Sequence, residues 1–572
     1  MLSSLPLSRW LKNYDRYLFS QDFIAGIITA ITLVPQSMAY ALLAGVPAVY
    51  GLYGAIVPTL LYSLLGSSRH ISIAPAALIS IMVASTVGGL NPESEQQYVY
   101  YTVVTAFLTG IFLIVMRLLR LGNITQYIST PVVNGFTSAA AIIIAASQIK
   151  YIVGISVPNG LSFLETVQFF AKNLGQTNIG VLILGICCFL LLWFFKKPWA
   201  SLMDAVFSNK LLLQVLKKSG PLIVIILVSL VVQFSRLDVA HSIPVVGKIP
   251  QGFPKWIWFD LNIEVVKTLA FPSFLIALMC FLTSTLVGNS LAAKRREKLD
   301  PDQELLAIGV ANLSASFFSS FSVAASMSRT AVSYKAGAQT SVMGMIAAIG
   351  VLMTLLWLTP LFYFLPLAML GSIVIMSVFS MMEIDQIKHY WQVNRADAIS
   401  FITTFFMVLL FGIEIGLGVG ILYSVVLLIQ RTSHPHIAVV GRVGKSEHFR
   451  NINRHKVETK DTILSIRVDE NLHFANSDYV QNHILDKCAQ NKSLRHVVLI
   501  CSSISFVDVN AIDMFYSLIE KLKESDIVLH LAEVKGPVMD QIKKTDLLKT
   551  MEPGQVFLST DLAVSFCEKG CS

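Results

Sequence analysis

Charge is what this chain has little of: Asp, Glu, Lys and Arg make up 14% of its 572 residues, against 54% hydrophobic residues, and the mean hydropathy is +0.66. That balance excludes an ordinary soluble protein and points to a chain embedded in a lipid bilayer. Cysteine is also sparse. Cys187, Cys188, Cys280, Cys488, Cys501, Cys567 and Cys571 show no paired spacing of a metal knuckle or a disulfide framework, so we read them as reduced and structural. No acid/base pair or nucleophile constellation appears, which leaves an enzyme reading without residues and implies no cofactor and no metal. The amino terminus, MLSSLPLSRWLKNYDRYLFSQD, lacks an apolar core of signal-peptide length before its first charges, so no cleavage is expected. GRVGKS at 441–446 has two residues between its glycines where a phosphate-binding loop needs four, and reads as a turn after a strand. His434 and His436 have no other ligands nearby and read as juxtamembrane polar residues.

The scarcity is uneven. Residues 1–433 carry 43 charges, about a tenth of that stretch, while residues 434–572 carry 35, about a quarter, as a soluble domain does. The net charge of +8 divides into +9 and −1. Because the basic excess belongs to the apolar part, where cytoplasmic loops hold it, binding of nucleic acid is not expected.

What is abundant is the long apolar run. About fourteen recur from Phe23 to Ile429, near 22–42, 48–66, 74–90, 98–119, 130–149, 178–195, 220–235, 264–291, 303–321, 326–340, 341–364, 366–381, 396–412 and 414–431. The third and tenth are short, and hydropathy alone allows ten to fourteen. With the amino terminus inside and fourteen crossings, eighteen Lys and Arg fall in inside loops and six in outside ones, an asymmetry that favours an even count. The domains expected are therefore an amino-terminal cytoplasmic segment, 1–21, a transmembrane domain, 22–433, and a cytoplasmic domain, 434–572. After Arg431, runs such as TILSIRV (462–468) and HVVLIC (496–501) alternate with helical stretches, the pattern of a small α/β domain with a mainly parallel sheet.

Two stretches correspond across the apolar part. HISIAPAALIS (70–80) and FSVAASMSRTAVS (321–333) each look like a short strand leading into a truncated helix. Interrupted segments in corresponding places point to a midplane binding site where half-helix amino termini offer unpaired N–H groups. Small-residue packing faces fit them as well. Arg329 in the second stretch is the basic residue hardest to place in an apolar span. Either it faces an anion cavity, with the hydroxyls of Ser326 and Ser328 as further donors, or it satisfies backbone carbonyls. In the first span, Pro35 reads as a kink and Gln36 as a helix–helix hydrogen bond.

PQSMAYALLAGVPAVYGLY, GSSRHISIAP, LAAKRREKLDPDQELLAIGVANLSASFF, SMSRTAVSYKAGA and RADAISFITTFFMVLLFGIEIGLGVG, in that order, resemble the SulP family of sulfate permeases and related anion transporters. RVDENLHFANSDYV and HVVLICSSISFVDVNAIDMF resemble the STAS domain that such transporters carry. The resemblance implies an α-helical polytopic membrane protein with two inverted seven-span repeats, arranged as core and gate domains and paired as a homodimer in the plasma (inner) membrane. It implies a secondary transporter working by alternating access, with sulfate as the leading substrate. Bicarbonate, a C4-dicarboxylate, or an anion channel or sensor are the alternatives. Carried residue by residue, the family's site falls on Gln36 and Tyr40, on Ala74, Pro75 and Ala76, and on Ser326, Met327, Ser328 and Arg329. A co-transported cation or a counter-anion is a further implied partner. The place where relatives keep a coupling carboxylate is Thr283 here, with Met279 as a second such place, so a cation site in the eighth span is in question. The usual Pro and Gly before the Ser-Arg pair are also replaced, and Asp508 is followed by Val509, Asn510 and Ala511, so the phosphorylated serine of related regulatory domains has no counterpart.

Overall fold

The computed structural model describes residues 6, 10, 14–158, 161–196 and 220–570. Arg9, Lys12, Lys197, Lys210, Lys217 and Lys218, which the topology argument places inside, and Cys571 lie outside the described residues. The chain divides into two compact units, Met1–Ser424 and Val425–Ser572, with the division inside the last long helix.

Fourteen helices of the described residues take the places of the expected spans. In the first half these are α1 (Arg16–Leu43), α2 (Ala48–Leu65), α3 (Ala77–Gly88), α4 (Glu95–Leu118), α5 (Thr130–Val153), α6 (Ile179–Lys196) and α7 (Gly220–Ser235). In the second half they are α8 (Ile263–Arg295), α9 (Pro301–Phe317), α10 (Met327–Lys335), α11 (Val342–Phe362), α12 (Leu367–Val378), α13 (Arg395–Phe411) and α14 (Ile413–Ser433). Seven are both long and apolar enough to cross a membrane on their own. Local chemistry sets their ends. Asp15 caps α1 by accepting from Leu18 N at 2.8 Å, which starts the helix at Arg16, six residues before the expected span. Asp300 accepts from Asp302 N and Gln303 N at 3.1 Å, and Pro301 opens α9. Gly154, with φ of +71°, closes α5.

The two truncated helices are α3, of 12 residues, and α10, of 9. Each follows a two-residue strand, β1 (Ile73–Ala74) and β2 (Ala324–Ala325), and the strands pair antiparallel, Ile73 with Ala325 and Ala74 with Ala324. That is the relation an inverted repeat produces. Pro75 biases Ala74 to extended backbone. Away from water, the remaining polar groups of the strands need partners, and side chains supply them. Thr59 donates to Ile73 O at 2.7 Å, Ala325 N donates to Ser284 Oγ at 3.1 Å, and the Asn312 amide both donates to Val323 O and accepts from Val323 N at 3.0 Å.

The second unit holds a six-stranded sheet in the order β4-β3-β5-β6-β7-β8, formed by β3 (Ile437–Arg442), β4 (Phe449–Asn451), β5 (Ile463–Val468), β6 (His496–Ile500), β7 (Val528–Ala532) and β8 (Val556–Phe557). From β5 to β8 it is parallel, while β3 runs antiparallel to both its neighbours. GRVGKS lies in the hairpin between β3 and β4, where Val443 N donates to His448 O and Gly444 takes a φ of +53°. His436 Nδ1 sits 2.8 Å from Asp469 Oδ2.

Candidate anion site

The backbone leading into both half-helices ends in residues without a capping side chain. Ala76 has no oxygen to offer, and Ser326, the corresponding residue of α10, makes no capping bond. The first intrahelical bonds are Ser80 N to Ala76 O and Thr330 N to Ser326 O, both 2.9 Å, so the N–H groups of the three residues before each have no intrahelical acceptor. Both helix starts border one cavity of about 340 Å³. Ala76 to Ile79 line it at the start of α3, Ala325 to Ser328 from the end of β2 into α10, Tyr40 from α1 and Thr283 from α8. The Ser326 and Ser328 hydroxyls are 3.2 Å apart. Every lining residue precedes Ser424.

The expected site residues divide into two sets. Tyr40, Ala76, Ser326, Met327, Ser328 and Thr283 are in the wall of the cavity, whereas Gln36, Ala74, Pro75 and Arg329 are not. Arg329 is 1% exposed. Its guanidinium donates to Ser72 Oγ and Pro75 O at 3.1 Å, and to Ser72 O and Ala74 O at 3.4 Å. The guanidinium thus satisfies backbone carbonyls of the β1 segment, and Arg329 is not among the residues lining the cavity. Gln36 precedes Tyr40 by one turn, and its buried Oε1 has no partner. The Thr283 hydroxyl donates back to Met279 O at 2.7 Å, as helical threonines do.

Four polar lining residues went unforeseen: Asn134 and Thr137 of α5, Ser377 of α12 and Glu383 beyond it. Glu383 is the one charged residue among those lining the cavity. Its Oε2 accepts from Asn134 Nδ2 at 3.0 Å, the same amide donates to the Tyr390 hydroxyl at 2.8 Å, and Glu383 N donates to Ser138 Oγ at 3.0 Å. Asn134, a polar residue one turn into an otherwise apolar span, was the signal available in TPVVNGF.

Outside this region, His496, His530 and Cys567 bring ligand atoms within 4.8 Å of one another. Their hydrogen bonds oppose a metal. Gln555 N donates to His530 Nδ1 at 3.2 Å, so the proton of the neutral ring is on Nε2, facing His496 Nδ1 at 3.2 Å. A metal-binding histidine instead donates its second N–H outward. A cleft of about 480 Å³ beside β3 mixes Arg442, Lys445 and Lys460 with Glu458, Asp461 and Glu568, and Arg442 is already paired with Asp561 at 2.9 Å. None of the six described cysteines forms a disulfide.

Residues 19–404 match the sulfate permease family and residues 454–563 match the STAS domain. Sulfate transporter 4.1, chloroplastic, of Arabidopsis thaliana is 33% identical over 98% of this chain and 82% of its own length. The sodium-independent sulfate anion transporter of Bos taurus is 30% identical over 95% and 88%. Among solved structures, the murine solute carrier 26 family member A9 anion transporter in the inward-facing state superposes with a TM-score of 0.90 at 24% identity, covering 99% of this chain and 94% of that one. The transmembrane domain of the cyanobacterium bicarbonate transporter BicA gives a TM-score of 0.60 at 18% identity over 72% and 98%. These two likenesses establish the fold. With the family match spanning most of the helical unit and relatives aligned along nearly the whole length, this chain belongs to the sulfate permease family and ends in a STAS domain.

Proposed function

We propose that this chain is a secondary transporter of small anions, sulfate first among them, and that the anion is held between the starts of α3 and α10. The observation that carries the reading is the pair of uncapped helix starts facing one cavity of about 340 Å³. Each contributes roughly half a positive charge, and Arg329 adds to the field from behind β1. Tyr40, Ala76, Ser326, Met327 and Ser328 supply the wall. Gln36, Ala74, Pro75 and Arg329 support it from the second layer, and Thr283 offers a hydroxyl at the place where a coupling ion would be sought. Relatives named as sulfate transporters favour sulfate over bicarbonate or a dicarboxylate.

The helices belong to core and gate parts whose relative movement alternates access, and the chain works as a homodimer. Arg16, Arg117 and Arg295 stand at the start of α1 and the ends of α4 and α8, helix ends that alternate crossing of the bilayer puts on one side, which favours a cytoplasmic amino terminus and STAS domain in a plasma or inner membrane.

Uptake into proteoliposomes of labelled sulfate, bicarbonate, fumarate and chloride, with and without proton or sodium gradients, tests the reading. Saturable sulfate uptake is expected. Exclusion of sulfate while bicarbonate or fumarate enters would reassign the substrate, and non-saturating chloride flux would replace the transporter by a channel.

A further inference from the structure

We infer that the hydrogen bond from Thr86 to Glu414 holds the anion cavity shut on the side opposite the start of α1, and that it parts in each transport cycle. The inference rests on the alternating-access reading above and names the positioning residues of one gate. The helices fall into two packed groups. In the first, α4 lies against α8 and α9, α9 against α2, α11 against α1 and α2, and α3 against α1, α4 and α8. In the second, α5 carries α6, α12 and α13, with α7 on α6. α14 belongs to the second group, because Gly416 packs on Val408 of α13, and Gly420 packs on Thr404 of α13 and Val132 of α5. Thr86 is on α3 and Glu414 is in the first turn of α14. Their bond, Thr86 Oγ1 donating to Glu414 Oε1 at 2.6 Å, therefore joins one group to the other.

The place of this bond along α3 gives it a task. Two cavities approach α3, one from each end. The anion cavity reaches as far as Ile79. A second cavity, of about 390 Å³, reaches Ile81, Ala84, Ser85 and Gly89, and its opposite wall includes Leu410 to Ile413, where the chain turns from α13 into α14. Between the two, Ser80, Met82 and Val83 are 0% exposed, so the partition is about one turn of α3, about 5 Å thick. Residues three, four and seven apart share a helix face. Ile79, Met82, Val83 and Thr86 thus form one edge, which runs from the anion cavity, through the sealed turn, to the bond with α14. Because successive crossings alternate in direction, the end of α3 and the start of α14 both stand on the side away from the start of α1. Moving one helix group against the other breaks the bond and uncovers Met82 and Val83 in the same step. The charge of Glu414 is not needed for this, since the carbonyl oxygen of a neutral carboxyl group accepts a hydrogen bond as well.

The test reads Val83→Cys in the purified full-length protein, by the rate at which a charged methanethiosulfonate modifies that residue, followed by mass spectrometry of its peptide. Slow modification is expected with Thr86 in place. Adding Thr86→Val, which keeps the shape and removes the hydroxyl, is expected to raise the rate about fivefold, the shift that losing one hydrogen bond gives a two-state equilibrium. Thr86→Ser, which keeps the hydroxyl, is expected to restore the slow rate. Where Thr86→Val does not fold, Glu414→Leu removes the acceptor and should have the same effect. Equal rates for Thr86→Val and Thr86→Ser overturn the inference, whichever anion the protein carries. A second arm bridges Thr86→Cys to Glu414→Cys with a short bifunctional methanethiosulfonate. Labelled sulfate should still bind to the bridged protein, but its counterflow in proteoliposomes should stop and return on reduction. Counterflow at the unbridged rate through the bridged protein overturns the gate. If the unbridged protein carries none of sulfate, bicarbonate, fumarate or chloride, the proposed transport falls, and the labelling still decides whether the bond shuts the cavity.

Discussion

The guanidinium of Arg329, in the first turn of α10, donates to the backbone carbonyl of Pro75 at 3.1 Å, two residues before α3 begins. Two half-helices far apart in sequence are thereby tied at their amino ends, where like partial charges face each other. Three further bonds, two to Ser72 and one to Ala74, make the arginine a strap across the β1–β2 pair.

Arg329→Ala is therefore expected to lose heat stability together with anion affinity. Removing a buried charged donor leaves several carbonyls unsatisfied, a loss of about 3 kcal/mol or more. Arg329→Lys keeps the charge but not the planar fork, and should recover only part of both. Thermal unfolding in detergent measured beside anion binding decides the matter. Unchanged unfolding of Arg329→Ala with binding abolished would make the arginine a direct ligand.

Ser326→Asp separates helix stability from anion binding. A carboxylate at the start of α10 would accept from the same N–H groups that the proposed anion uses, and it suits the positive end of the helix by about 1 kcal/mol. The variant should unfold at or above the wild-type temperature and bind no sulfate. Sulfate binding at wild-type affinity in that protein would place the anion elsewhere.

The part of this site that was legible in the sequence is the part that depends on local pattern. Apolar runs marked the spans, and the Pro and small residues of ISIAPAAL and SVAASMS marked the strand-to-helix breaks that became β1–α3 and β2–α10. Side-chain direction was not legible. Beside the Ser326 and Ser328 hydroxyls, Arg329 reads in the sequence as an anion ligand before it reads as a strap, because Pro75, whose carbonyl it meets, is 254 positions away. Glu383 escaped notice because it stands in a polar junction after a span, where a carboxylate normally meets water, and only the packing of α5 against α12 brings it to the cavity wall. The strand β4 is three residues at a sheet edge, too short to show alternation.

A chain ending at His436 is expected to keep its anion affinity. Every residue lining the cavity precedes Ser424, so the STAS domain contributes no wall. Expression, dimer stability and turnover are free to fall in such a protein. Sulfate binding to the monodisperse, helical truncated protein is the measurement, and its loss there would assign the STAS domain a part in the site.

The STAS domain should lose stability on acidification through the His496–His530 pair. Burial pushes the His530 imidazole down to about 4, and His496 beside it acts in the same direction. Burial lowers His496 as well. A histidine whose folded value lies below its unfolded one, about 6.5, is bound to its proton more tightly by the unfolded chain. Its contribution is thus complete above about pH 6.5 and is withdrawn as pH falls towards 4, by at most about 3 kcal/mol. The hydrogen bonds give the same sign: a proton added at His530 Nδ1 would point at the Gln555 N–H that now donates to it. In the full-length protein, hydrogen exchange of β6 and β7, corrected for its intrinsic pH dependence, should lose protection between pH 6.5 and 4. His530→Phe, whose ring would lie among Phe557 and Phe566, should be less protected at pH 7.5, because the Gln555 N–H is orphaned, and should show a flatter profile on acidification. An equally steep profile in that variant would move the acid sensitivity to another group.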